Sequence, residues 1–131
     1  MRLDHVGIAV KDGDAAADLF ARLFDLPLDF RRSVPDQGVK VVKLRSGESF
    51  VECLEPLGPD TPLGKFLDRR GEGLHHVCFA VPDIRRALAD LRAKGVALID
   101  ETPRIGAAGL PIAFLQPKST HGVLVELVEK P

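Results

Sequence analysis

Tryptophan and tyrosine are absent from this 131-residue chain, and its aromatic content is seven phenylalanines. Nucleic-acid partners call for a basic stripe and stacking aromatics. With 18 Lys and Arg against 19 Asp and Glu, the net charge is −1 and that class is disfavoured. Cysteine is scarce too: Cys53 and Cys78 are far apart and in no CxxC spacing. They read as small buried hydrophobes in a reducing compartment rather than as a disulfide or a zinc knuckle. No apolar run approaches the ~20 residues of a membrane span. The opening MRLDHVGIAV lacks the basic start and long apolar core of a signal peptide. These absences predict a cytoplasmic protein with no membrane partner. Its length suits one domain over 1–131, burying roughly two thirds of its unfolded surface without covalent staples.

What the chain does have is a second copy of itself. DHVGIAVKD (4–12) aligns with HHVCFAVPD (75–83) at an offset of 71, with five of nine positions identical. FVECLEP (50–56) aligns with LVELVEK (124–130) at an offset of 74. Two matches in the same order and at nearly the same offset mark a tandem repeat.

Each copy follows one script. An alternating run reads as a strand, after which Asp12 or Asp14, and in the second copy Asp83, is placed to cap a helix. The first helix sets Ala16, Leu19, Phe20 and Leu23 on one face; the second sets Ile84, Ala87, Leu88 and Leu91 there, with Gly95 as its left-handed terminator. Short β-type runs follow: VKVVKL and FVECLE, then PIAFL and VLVELVE. The fold class is therefore α+β, built from two βαβββ modules. The first covers about 1–56 and the second about 74–131, and a linker of about 57–73 carries a short helix that Thr61 and Pro62 begin.

Neighbouring side chains on a strand point to opposite faces. His5 shares its face with Gly7 and Ala9, and His76 with Cys78 and Ala80, while the bulkier Val6, Ile8, Val77 and Phe79 point the other way. Each histidine thus stands at the end of a wall of small residues. Glu52 and Glu126 sit at equivalent points inside apolar runs, where an isolated carboxylate must be paired, protonated or bound to a metal. A pseudo-twofold packing of the halves would bring His5, Glu52, His76 and Glu126 together. Two imidazoles and two carboxylates suit one divalent ion such as Co²⁺, Ni²⁺, Zn²⁺, Mn²⁺ or Fe²⁺. Glu55 and Glu129 fall on the opposite faces and read as solvated. His75 replaces Asp4 in the repeat and reads as a bystander, and His121 as a loop residue.

The histidine strand, the doubled His–Glu pair and the βαβββ repeat resemble the vicinal oxygen chelate superfamily. That superfamily includes glyoxalase I, extradiol dioxygenases and fosfomycin-resistance proteins. DHVGIAV, PDQGVKV, VECLEPLG, GEGLHHVCFAV, IGAAGLPIAFLQPKS and GVLVELVE further resemble the methylmalonyl-CoA epimerases, in that family's order from residue 4 to 129. The resemblance implies a curved mixed sheet around a metal-binding cavity, with the metal on His5, Glu52, His76 and Glu126. It implies epimerisation at C2 through a metal-stabilised enolate, with Glu126 also as a catalytic acid/base. Co²⁺ is the ion it favours, methylmalonyl-CoA the substrate and a homodimer the assembly. Arg104, Lys118 and the loop glycines Gly106 and Gly109 are candidates for the acyl-CoA. Some family members have a glutamate four residues beyond the glutamine of the QGV turn; here that position is Val41, which leaves Lys43 and Glu52 as the nearby ionisable groups. Two other readings share the scaffold: a glyoxalase I-type isomerase, and a ligand-sequestering protein without turnover.

Overall fold

A computed structural model describes Met1–Pro131 as two compact units, His5–His75 and Met1–Asp4 with His76–Pro131. No helix is long and apolar enough to cross a membrane.

In the His5–His75 unit, β1 (Arg2–Ala9) leads into α1 (Gly13–Phe24), followed by β2 (Leu28–Val34), β3 (Val39–Ser46) and β4 (Ser49–Pro56). Four strands lie in the order β2-β3-β4-β1. β1 runs parallel to β4 with Gly7 opposite Glu52, and β3 runs antiparallel to β4 with Lys43 opposite Glu52. Asp12 caps α1 by accepting a hydrogen bond from the Ala15 amide, and Asp25 ends it in the left-handed conformation. The helix packs over Val10, Val42, Leu44 and Cys53. Burial pushes the Cys53 thiol up to about 11, so it stays protonated as a small core residue. The linker forms α2 (Pro62–Arg70), begun by the Thr61 hydroxyl accepting from the Gly64 amide, as its sequence predicts.

The second unit repeats the plan with β5 (Gly73–Val81), α3 (Ile84–Ala93), β6 (Arg104–Ile105), β7 (Pro111–Leu115) and β8 (Val125–Glu129), in the order β5-β8-β7-β6. β5 runs parallel to β8 with Cys78 opposite Glu126. Gly7 and Cys78 are repeat partners, so both halves hold their glutamate in the same register. Ile84, Ala87 and Leu88 are buried against Ala113, Val125 and Leu127 with Leu91 packed alongside, the face the sequence predicts, and Gly95 takes φ 85° beyond the helix end.

Two expectations are corrected. Leu19 and Leu23 are 42% and 55% exposed, because α1 turns Gly13, Ala16, Ala17 and Phe20 toward the sheet instead. Small residues allow this approach: a Cβ on Gly13 would lie 3.4 Å from Val42 Cγ2. Glu55 and Glu129 are not solvated surface groups. Glu55 Oε1 accepts from the Gly13 amide at 2.8 Å, and Glu129 Oε2 accepts from the Ile84 amide at 3.0 Å. Each carboxylate thus satisfies the first amide of its half's helix, where the helix dipole favours negative charge. Substituting either by alanine is expected to lower unfolding free energy by about 1 kcal/mol, read from urea denaturation. A loss below about 0.3 kcal/mol would mean that solvent replaces the contact.

Candidate functional site

Each half buries one histidine beside one glutamate. In the His5–His75 unit, His5 on β1 and Glu52 on β4 are 4% and 7% exposed, with His5 Nε2 3.5 Å from Glu52 Oε1. In the other unit, His76 on β5 and Glu126 on β8 are each 6% exposed, with Nε2 3.0 Å from Oε1. Strand pleating explains the placement: residues on one face of β1 and β4 bring His5 and Glu52 together, while the residues between them enter the core under α1. The equivalent register of β5 and β8 gives the second pair.

The donor chemistry fits a divalent ion. Each pair offers an imidazole nitrogen and a carboxylate oxygen close together and almost free of water, a combination that zinc, cobalt and nickel sites use. An acidic group buried without such a role would carry a desolvation cost that a neutral imidazole offsets only in part.

The side chains around the two pairs differ between the halves. Lys43 on β3 is 3% exposed, and its Nζ lies 3.9 Å from Glu52 Oε2. Its ammonium also faces two rings, 4.2 Å from the centroid of Phe50 and 5.3 Å from that of Phe30. Around the other pair, His76 meets the Phe114 ring edge-on at 5.8 Å, and the Arg104 guanidinium lies 5.5 Å from the same ring. Arg104 is further held by Asp100, with Nε 3.3 Å from Oδ1. It is exposed on β6.

The other predicted residues have plainer settings. Gly106 and Gly109 shape the turn between β6 and β7, with Gly109 at φ 77° and donating to the Gly106 carbonyl, and a Cβ on Gly106 would come 2.9 Å from Ile112. The left-handed turn favours glycine at 109, and the close approach of Ile112 favours it at 106. Lys118 is exposed in a 3-10 turn, Pro117–Ser119. Val41 is buried on β3. His75 packs edge-on against Phe66 at 4.8 Å, and His121 sits exposed in a turn at φ 56°.

Sequence reasoning passed over two features. Asp4 is 1% exposed and paired with Lys130 at 2.7 Å, tying the first residues of β1 to the end of the chain. The rings of Phe30 and Phe50 flank Lys43: Phe30 is its cross-strand partner on β2, and Phe50 lies diagonally across on β4 opposite Arg45.

Comparison with known proteins gives one consistent picture. The family described as the Glyoxalase/Bleomycin resistance protein/Dioxygenase superfamily matches residues 4–114. The mitochondrial methylmalonyl-CoA epimerase of Homo sapiens is 40% identical over 127 residues, covering 96% of this chain and 72% of that protein. The crystal structure of methylmalonyl-CoA epimerase from Mycobacterium tuberculosis is 36% identical with a TM-score of 0.95, covering 99% of this chain and 88% of that one. A methylmalonyl-CoA epimerase solved in complex with methylmalonyl-CoA and NH4⁺ is 37% identical with a TM-score of 0.93, covering 98% of this chain and 94% of that one.

Proposed function

The chain belongs to the methylmalonyl-CoA epimerases of the glyoxalase/bleomycin resistance/dioxygenase superfamily, and from that premise we propose that it interconverts the two C2 epimers of methylmalonyl-CoA in a divalent-metal-dependent reaction. The observation that carries the reading is the pair of repeat-equivalent, buried His–Glu contacts, His5–Glu52 and His76–Glu126. The likeness of nearly the whole chain to a relative bound to methylmalonyl-CoA supports the choice of substrate.

In this reading His5, Glu52, His76 and Glu126 would hold the ion. When bound, it would supply a Lewis acid that stabilises negative charge developing on the substrate. The C2 hydrogen lies between the thioester and the carboxylate, so its removal moves negative charge onto the thioester oxygen, and stabilising that charge is the main catalytic task. Glu126 takes the proton on one face of C2. Its carboxylate is buried 3.0 Å from His76, which fixes its direction and keeps water from competing. The carrier on the opposite face is not Val41, whose side chain has no proton to give. Arg104, exposed against the Phe114 ring that His76 also meets, is available to an anionic group of the acyl-CoA. A homodimer and a cobalt ion complete the reading by analogy with the family.

An epimer-specific enzyme supplied with racemic methylmalonyl-CoA consumes half of it. Addition of this protein with a divalent metal is expected to carry consumption to completion. A halt at one half with Co²⁺, Zn²⁺, Mn²⁺ and Ni²⁺ alike would reject the function. A glyoxalase I-type isomerase would instead turn over a glutathione hemithioacetal.

A further inference from the structure

Lys43 carries a charge at an unusual place. Its side chain is 4% exposed, in the middle of β3 and on the sheet face opposite α1, where alternation also puts Glu52 and His5. Burying an ammonium is costly unless an anion meets it at hydrogen-bonding distance. The Glu52 carboxylate does not provide that. Its Oε2 is 3.9 Å from Nζ, beyond hydrogen-bond reach, and its Oε1 is turned to His5 at 3.5 Å. The other neighbours are the faces of Phe50 at 4.2 Å and Phe30 at 5.3 Å. Ring faces attract a cation and exclude water, yet they accept no strong hydrogen bond. The ammonium is thus buried against two rings, with Glu52 as an ion-pair partner at 3.9 Å that makes no hydrogen bond to it, one cross-strand pair from a residue assigned to the metal.

We infer that Lys43 recognises the free carboxylate of the substrate and so selects malonyl-type acyl-CoA over acyl-CoA lacking that group. The inference rests on the epimerase reading and deepens it. The carboxylate is the one anionic group at the reacting end of methylmalonyl-CoA; the phosphates lie at the far end of the CoA. A lysine in an aromatic-lined site gives a charge-assisted hydrogen bond there, worth a factor of about ten to a hundred in affinity. Arg45, the next residue on this face of β3, is exposed and already paired with Asp29 at 3.5 Å, so it does not compete for the role.

Calorimetric titration of the metal-loaded protein with malonyl-CoA and with propionyl-CoA tests this. The wild type is expected to bind malonyl-CoA at least tenfold more tightly. In Lys43→Met, malonyl-CoA binding should weaken by ten- to a hundredfold while propionyl-CoA binding stays within threefold. Lys43→Arg, which keeps the charge, should restore most of the difference. Equal weakening toward both ligands would make Lys43 a structural residue and overturn the inference, as would unchanged malonyl-CoA binding. Lys43→Gln, read by the same criteria, replaces the methionine variant if that one does not fold. Failure of the wild type to discriminate at all would instead overturn the epimerase reading and this inference with it.

Discussion

Replacing Glu126 by glutamine is expected to slow epimerisation about 10³-fold, with little change in the thermal stability of the metal-free protein. General acid–base catalysis by one positioned group supplies roughly 10²–10⁴-fold, and losing a charged donor toward the metal adds to that. Glutamine keeps the length of the side chain and an oxygen that can face His76, so packing on β8 between Val125 and Leu127 is retained. What disappears is the group that accepts the C2 proton. Steady-state kinetics with a unfolding scan on the same sample separate the two effects. Activity within tenfold of wild type would remove Glu126 from the proton path. A collapse in the stability of the metal-free protein would show that its main work is structural, as the buried partner of His76.

Metal removal gives the second large effect. Exhaustive treatment with a chelator should abolish turnover and lower the melting temperature, and readdition of Co²⁺ should restore both. The stability change follows from linkage: an ion at a hundred times its dissociation constant stabilises the native state by about 2.7 kcal/mol. A protein with both His5→Ala and His76→Ala should show neither response, because each half then loses its imidazole. A chelator-insensitive wild type, with no metal after reloading and elemental analysis, would contradict the assignment of all four ligands.

Much of this architecture could be read from the residues because the repeat doubles every signal. Asp12 and Asp83 announce helices, His5 and His76 recur with small residues on the same face, and Glu52 and Glu126 stand out as carboxylates in apolar runs. Features that depend on contacts between elements were less legible. β2 carries LDFRRSV, too polar to mark a buried strand, and it is held at the sheet edge by pairing with β3. β6 is two residues long and leaves almost no periodic trace. Leu19 and Leu23 follow helical spacing as well as Ala17 does, and the packing of α1 on the sheet, which spacing alone does not give, buries Ala17 and leaves both leucines exposed. Glu55 and Glu129 look like surface acids until the helix amides they accept from are in place. Lys43 sits in a run that reads simply as a strand; its burial between two phenylalanines follows from β2–β3–β4 register, which is tertiary information.

The most direct test of the account is hydrogen exchange at C2. Metal-loaded protein is incubated with methylmalonyl-CoA in D₂O, and the C2 proton is followed by NMR. The signal is expected to disappear far faster than the spontaneous rate, to require a divalent ion for this, and to persist nearly unchanged with Glu126→Gln. Exchange at the spontaneous rate with every divalent metal tried would contradict the account.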